Sequence, residues 1–142
     1  MSLLSDFYIA SPENAIRYDT DRGLPEFERA EFNDLTYDEL ANLWAVLQNS
    51  EPTPDHSKAF DSVLVVDGGA RLINRFPSEF VALLAVLDES SASAAATKWV
   101  QTGELAYMGC SPSDVMPIIN AASRLARNAQ ESGKGVYLWM CV

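Results

Sequence analysis

The chain has 142 residues, 48% of them apolar and 10% aromatic, a globular composition long enough to bury about two-thirds of its unfolded surface as one domain. Its net charge is −10 and unevenly spread: residues 1–61 hold 13 acidic and 4 basic side chains, residues 62–142 hold 7 and 6. The acidic first half argues against nucleic acid, whose phosphates need basic partners, and against anionic membranes, and no apolar run approaches the ~20 residues of a spanning helix.

Residues 4–10, with Phe7-Tyr8-Ile9, read as a short strand. Ser11-Pro12-Glu13 opens a short helix, serine capping and proline at the first position. Asp19 to Pro25 reads as a polar turn, and Phe27 to Phe32 as a charged edge strand of poor alternation. Thr36 and Glu39 form a capping-box pattern ahead of Leu40, Leu43, Trp44 and Leu47, the i, i+3, i+4, i+7 face of a helix with Trp44 in the core. Residues 49–58 hold Pro52, Pro54 and the single histidine, His56, and read as an exposed loop.

Val63 to Val66 is an apolar run of strand type that Asp67-Gly68-Gly69 ends abruptly. Residues 71–75 are either the second strand of a hairpin or a connection with Leu72 and Ile73 tucked inward. Residues 79–87 have almost no polar face, so that helix is expected to be central. Ala92, Ala95, Ala96, Trp99 and Val100 mark another helix, stopped near Gly103, and residues 104–109 read as a loop with Tyr107 and Met108 packed back. The last helix carries Val115, Ile118, Ile119, Ala122, Leu125, Ala126 and Ala129 on one face. Asp114 is its expected N-cap, since Pro117 then falls in the first turn, where a missing N–H costs nothing. Gly133 suits the left-handed C-terminal position. Val136 to Val142 has no polar alternation, the mark of a strand buried on both faces, with Trp139 and Cys141 inside.

Chemistry-bearing motifs are sparse. A triad or a histidine-based metal site would have to use His56, and nothing local brings partners to it. Cys110 and Cys141 lie 31 positions apart without a paired metal motif, and read as reduced thiols of a cytoplasmic protein. No signal peptide is expected, and no cofactor or metal is implied. Two sets of residues remain. Asp67, Gly68 and Gly69 follow a strand, and Arg71 and Arg75 follow them; together they are a candidate ligand site, because glycine backbone admits close approach and arginine takes carboxylate or phosphate. A tight turn of positive φ explains the glycines equally, and pairing with the acidic half explains the arginines. The second set is a candidate surface for a basic protein partner: Asp19, Asp21, Glu26, Glu28, Glu31, Asp34 and Asp38, a one-sign field that would steer an opposite one.

The series as a whole resembles one family. A tryptophan- and leucine-bearing helix at Leu40–Leu47 leads to an apolar segment ending in Gly68-Gly69. Arg75 and Pro77 then precede the helix of residues 79–87, and the end closes with Leu125-Ala-Arg-Asn-Ala129, Gly133-Lys-Gly135 and the strand Val136–Met140. This is similar to the YfbM-like bacterial domains of unknown function. The resemblance implies a small mixed α+β fold in a bacterial cytosol and carries over no activity.

The reading is therefore one α+β domain over residues 1–142, a small mixed sheet with a buried C-terminal strand and about four helices packed on it. Functionally it is a non-enzymatic interaction module toward a basic partner, an immunity-like role among the forms this takes. The alternative is a small-molecule binder or enzyme with a pocket at Asp67–Arg75.

Overall fold

The final strand organises the structure. In the computed structural model, which describes residues 3–22 and 26–142, β5 (Gly135–Cys141) lies between β1 (Leu4–Ala10) and β4 (Arg71–Arg75). Outside these lie β2 (Arg29–Asn33) and β3 (Asp61–Val66), in the order β2-β1-β5-β4-β3. The expected α+β fold with a buried C-terminal strand is present, and every pairing is antiparallel, which narrows the mixed sheet to an antiparallel one. Val136, Leu138 and Met140 face one layer and Tyr137 and Trp139 the other, so β5 is apolar throughout because both its faces are covered. Cys141, at its end, is only partly buried, as is Cys110, and both are free thiols.

One face packs against the longer helices: α2 (Tyr37–Leu47), α4 (Ser78–Ala85), α5 (Glu89–Trp99) and α7 (Pro112–Ser132). Polar side chains fix this layer at specific points. Trp99 donates its indole N–H to the Glu39 carbonyl at 2.8 Å, joining α5 to α2, and the Ser123 hydroxyl donates to the Leu84 carbonyl at 2.8 Å, joining α7 to α4. The Thr36–Glu39 capping box forms as expected: Thr36 N–H donates to the Glu39 carboxylate at 3.1 Å, and Asp38 N–H to the Thr36 hydroxyl at 3.1 Å.

The other face is covered by a short stretch of chain: a 3-10 turn at Ala15–Arg17, α1 (Tyr18–Asp21) and Phe27. Tyr18 stacks on Tyr8 with ring centroids 3.9 Å apart and planes 13° from parallel. The helix expected from Ser11 begins only at Ala15, after a turn; of the turn read over Asp19 to Pro25, Asp19–Asp21 belong to α1 instead, and residues 23–25 lie outside the described residues.

Four expectations are corrected. Ser111, not Asp114, caps α7: its N–H donates to the Asp114 carboxylate at 2.8 Å, Pro112 takes the first helical position, and Pro117 lies inside the helix. The cap and the proline at the first position offset the one backbone bond lost at Pro117. Residues 49–58 are not wholly loop, since Pro54–Lys58 forms α3. His56 makes this five-residue helix possible. Its Nδ1 accepts the Thr53 N–H at 3.1 Å, so Nε2 carries the hydrogen and donates to Gln48 Oε1 at 2.7 Å, while the ring meets Trp44 edge-on at 5.0 Å. Residues 103–107 form α6, and Tyr107 and Met108 point outward, 87% and 58% exposed, instead of packing back. Gly133 adopts the expected left-handed conformation, φ 68°, at the end of α7.

Candidate functional site

The structure joins the two candidate sets through one arginine. Residues 71–75 form the second strand of a hairpin, with Asp67, Gly68 and Gly69 as its turn at φ 52°, 67° and 104°. The glycines serve positive-φ geometry, which a side chain rarely adopts. Arg71 donates from Nε to Asp19 at 2.8 Å and from Nη1 to Asp67 at 3.1 Å, so its guanidinium is held by the chain's own carboxylates. Arg75 lies 5.7 Å from the centre of the Tyr137 ring, at the other end of β4. Asp67, Gly68, Gly69, Arg71 and Arg75 therefore do not converge, and five grooves among the described residues are lined by other side chains.

The acidic set is divided in the same way. Asp19 is nearly buried and accepts from Trp139 Nε1 at 3.0 Å as well as from Arg71. Burial by itself raises the Asp19 carboxyl; the hydrogen bonds from Trp139 and Arg71, with the guanidinium charge, outweigh it and hold the group below its ordinary value. Asp21 and Glu26 pair with Arg17 at 3.1 and 2.9 Å, and Glu31 pairs with Arg29 and Arg22 at 2.9 and 3.2 Å. Glu28 accepts from Asn128 of α7 at 2.7 Å, and Asp34 accepts the Leu3 N–H at 2.9 Å. Each of these carboxylates is thus held by an intramolecular partner, Asp19, Asp21, Glu26 and Glu31 by arginines and Glu28 and Asp34 by uncharged donors, and they do not form one uncovered acidic face. Asp6, fully buried, accepts from Tyr18 at 2.7 Å and from two nitrogens of Arg22 at 2.6 and 3.2 Å. Arg22 in turn lies 4.9 Å from the centre of the Trp139 ring.

Asp38, the last of the set, lies elsewhere. It lines a groove of 520 Å³ between the start of α2, α3 and the β3–β4 hairpin, with Tyr37, Pro54, Ser57, Lys58, Phe60, Asp61, Ser62 and Asn74. The local sequence explains the walls. The capping box of α2 sets Tyr37 and Asp38 at the helix start, and the Thr53–His56 cap turns α3 so that Ser57 donates to Asp38 at 3.0 Å. Phe60 is buried beside Phe76 and Phe80. Asn74 is only 6% exposed; its amide nitrogen donates to the Phe60 carbonyl at 3.1 Å, while its Oδ1 has no partner. A buried amide oxygen left without a donor costs on the order of 1–3 kcal/mol. The groove is lined by the Asp38 and Asp61 carboxylates and by the buried Asn74, with Tyr37 and Phe60 among its aromatic residues.

A second groove, of 570 Å³, lies between the α4–α5 joint and α7. Three of its charged groups already have partners: Asp88 accepts from Ser91 N–H at 2.8 Å, Arg127 donates to Ser123 at 2.7 Å, and Arg124 lies 3.9 Å from Glu28. Ser57 faces a carboxylate, and both ring nitrogens of His56 are engaged by Thr53 and Gln48. Among the described residues no three His, Cys, Asp or Glu side chains cluster to hold a metal ion, and no helix is long and apolar enough to cross a membrane.

The groove at Asn74 escaped the sequence reading because its members come from four segments, though one signal was visible: an asparagine two residues after Leu72, in step with it along β4. No family model, curated protein or solved structure matches the chain, so the YfbM-like resemblance rests on the residues that carry it.

Proposed function

We propose that the chain is a non-enzymatic binding module for a basic segment of a partner protein, received at the groove between α3 and the β3–β4 hairpin. The observation that carries this reading is Asn74 Oδ1, a buried acceptor without a donor, flanked by the Asp38 and Asp61 carboxylates. Acceptors need donors, and two carboxylates beside one lysine, Lys58, favour a cationic donor over an anionic one. Tyr37 and Phe60 supply aromatic surface for the stem or plane of a lysine or arginine side chain. The basic partner expected from composition is retained, but of the acidic set Asp19–Asp38 only Asp38 is kept at the proposed contact, joined by Asp61 and Asn74. Neutralisation of a basic protein, the immunity-like form, is one role this would serve.

N-acetylarginine methylamide is a sufficient probe. In an NMR titration its expected effect is amide shifts concentrated at residues 37–38, 57–62 and 74, abolished near 1 M salt, where the Debye length is about 3 Å. Shifts of equal size with the acetylglutamate counterpart, or shifts with no focus on these residues, would exclude a cation-selective groove.

A further inference from the structure

The groove opens at one end of β3, and β3 is the outermost strand of the sheet. Its outer backbone N–H and C=O groups meet no protein partner among the described residues. Exposed edges invite a further strand, and proteins usually guard them with charge, proline or a covering element. Between Asp61 and Asp67 this edge reads Ser-Val-Leu-Val-Val, with no proline and no charge, and Val65 is 57% exposed. The one irregularity is a register shift between Ser62 and Leu64.

We infer that β3 receives an extended segment of the partner as a sixth strand, with a basic residue of that segment entering the groove beside Asp61. This inference rests on the cation-selective groove and adds the mode of attachment. Strand addition takes affinity from main-chain hydrogen bonds and specificity from side-chain pockets at alternate positions, and the groove is such a pocket at the Ser62–Asn74 level of the sheet. Charge decides between the two available occupants. Antiparallel pairing of β3 with a second copy of itself about Leu64 sets Asp61 opposite the copy's Asp67 at both ends, and like charges directly opposite one another are destabilising. Each copy also carries a net charge of −10. A segment with apolar residues at alternate positions and lysine or arginine at its ends meets the same two carboxylates favourably.

The test uses a capped seven-residue peptide of alternating threonine and valine with lysine at both ends, and the same peptide with proline at its centre. Expected results are roughly ten-fold slower amide exchange at residues 62–66 with the first peptide and at least about ten-fold weaker binding by the proline peptide, which cannot complete the ladder. Val65→Lys should weaken binding similarly at unchanged melting temperature. Shifts confined to Tyr37, Asp38 and Ser57 with β3 exchange unaltered would overturn strand addition and leave the groove reading standing. Failure of the peptide to bind while N-acetylarginine methylamide still does would overturn it equally, and failure of both would remove the groove reading as well.

Discussion

The two edges of the sheet are built on opposite plans. β2 carries Arg29 and Glu31, which pair with each other, Glu31 pairing with Arg22 as well, and Glu28 just before it is held by Asn128 of α7. That edge is charged, braced from both layers and tied through Arg22 to the buried Asp6. β3 has the exposed Val65, an open groove at one end and, among the described residues, no strand beyond it. Polar side chains spent on intramolecular pairs fix a structure and leave nothing for a partner. Unpaired backbone and an unpartnered amide oxygen do the reverse, so an edge that looks less featured in sequence carries the binding reading.

Damage to the strands joining the two edges should have the largest effect. Leu138 is fully buried in β5, between β1 and β4. Leu138→Asp removes an apolar side chain and sets an unpaired carboxylate between both layers. No cooperative thermal transition should remain by circular dichroism; a soluble variant with a sharp transition would mean that β5 is not the element holding the edges together.

At the braced edge, Arg22→Met leaves the Asp6 carboxylate buried with only the Tyr18 hydroxyl as donor. Breaking such a pair from one side costs about 2–4 kcal/mol, the lower part of the buried-pair range because Arg22 is itself partly exposed. Urea unfolding should show this as a lower midpoint at unchanged slope. A loss below about 0.5 kcal/mol would reduce the network to surface decoration.

The same network supplies a pH dependence. Since the Asp19 carboxyl is held below its ordinary value when folded, the unfolded chain binds its proton first as pH falls. Its contribution is therefore fully present above about pH 4, the ordinary carboxylate value, and is lost as pH falls from there through the depressed folded value. Asp19→Asn should lower stability at pH 7 by about 1–2 kcal/mol and flatten the acid limb of the stability curve. An acid limb identical to that of the unsubstituted chain would show that other carboxylates carry it.

How much of this was legible depends on the range of the interactions. The α2 capping box and the apolar faces of α5 and α7 are local patterns, and the sequence predicts them. So is the unbroken apolar run of β5, which implies burial on both faces. The short helix α3 depends on His56 reaching Gln48 and Trp44 in another element, and the cap of α7 on a choice between two adequate signals. The acidic half suggested a surface because net charge is visible in sequence and pairing is not: Trp139 reaches Asp19 across 120 positions. Asn74 lacks a donor only because Phe60, 14 residues earlier, takes one end of its amide and buries the other.

The smallest effect on stability should come from the substitution that bears most on the comparison. Val65 projects from β3 beside Leu72, with most of its surface in solvent. Val65→Lys places a charge on the unguarded edge, the device that natural edge strands use against further pairing. Because the side chain is already mostly exposed, the change should alter folding free energy by no more than about 0.5 kcal/mol, far less than Arg22→Met at the other edge. If the edges differ as described, this near-silent change weakens peptide binding at least about ten-fold while the destabilising one leaves it intact in the folded fraction. Equal stability losses at both edges would mean that Val65 is held by packing, and that β3 is no more open than β2.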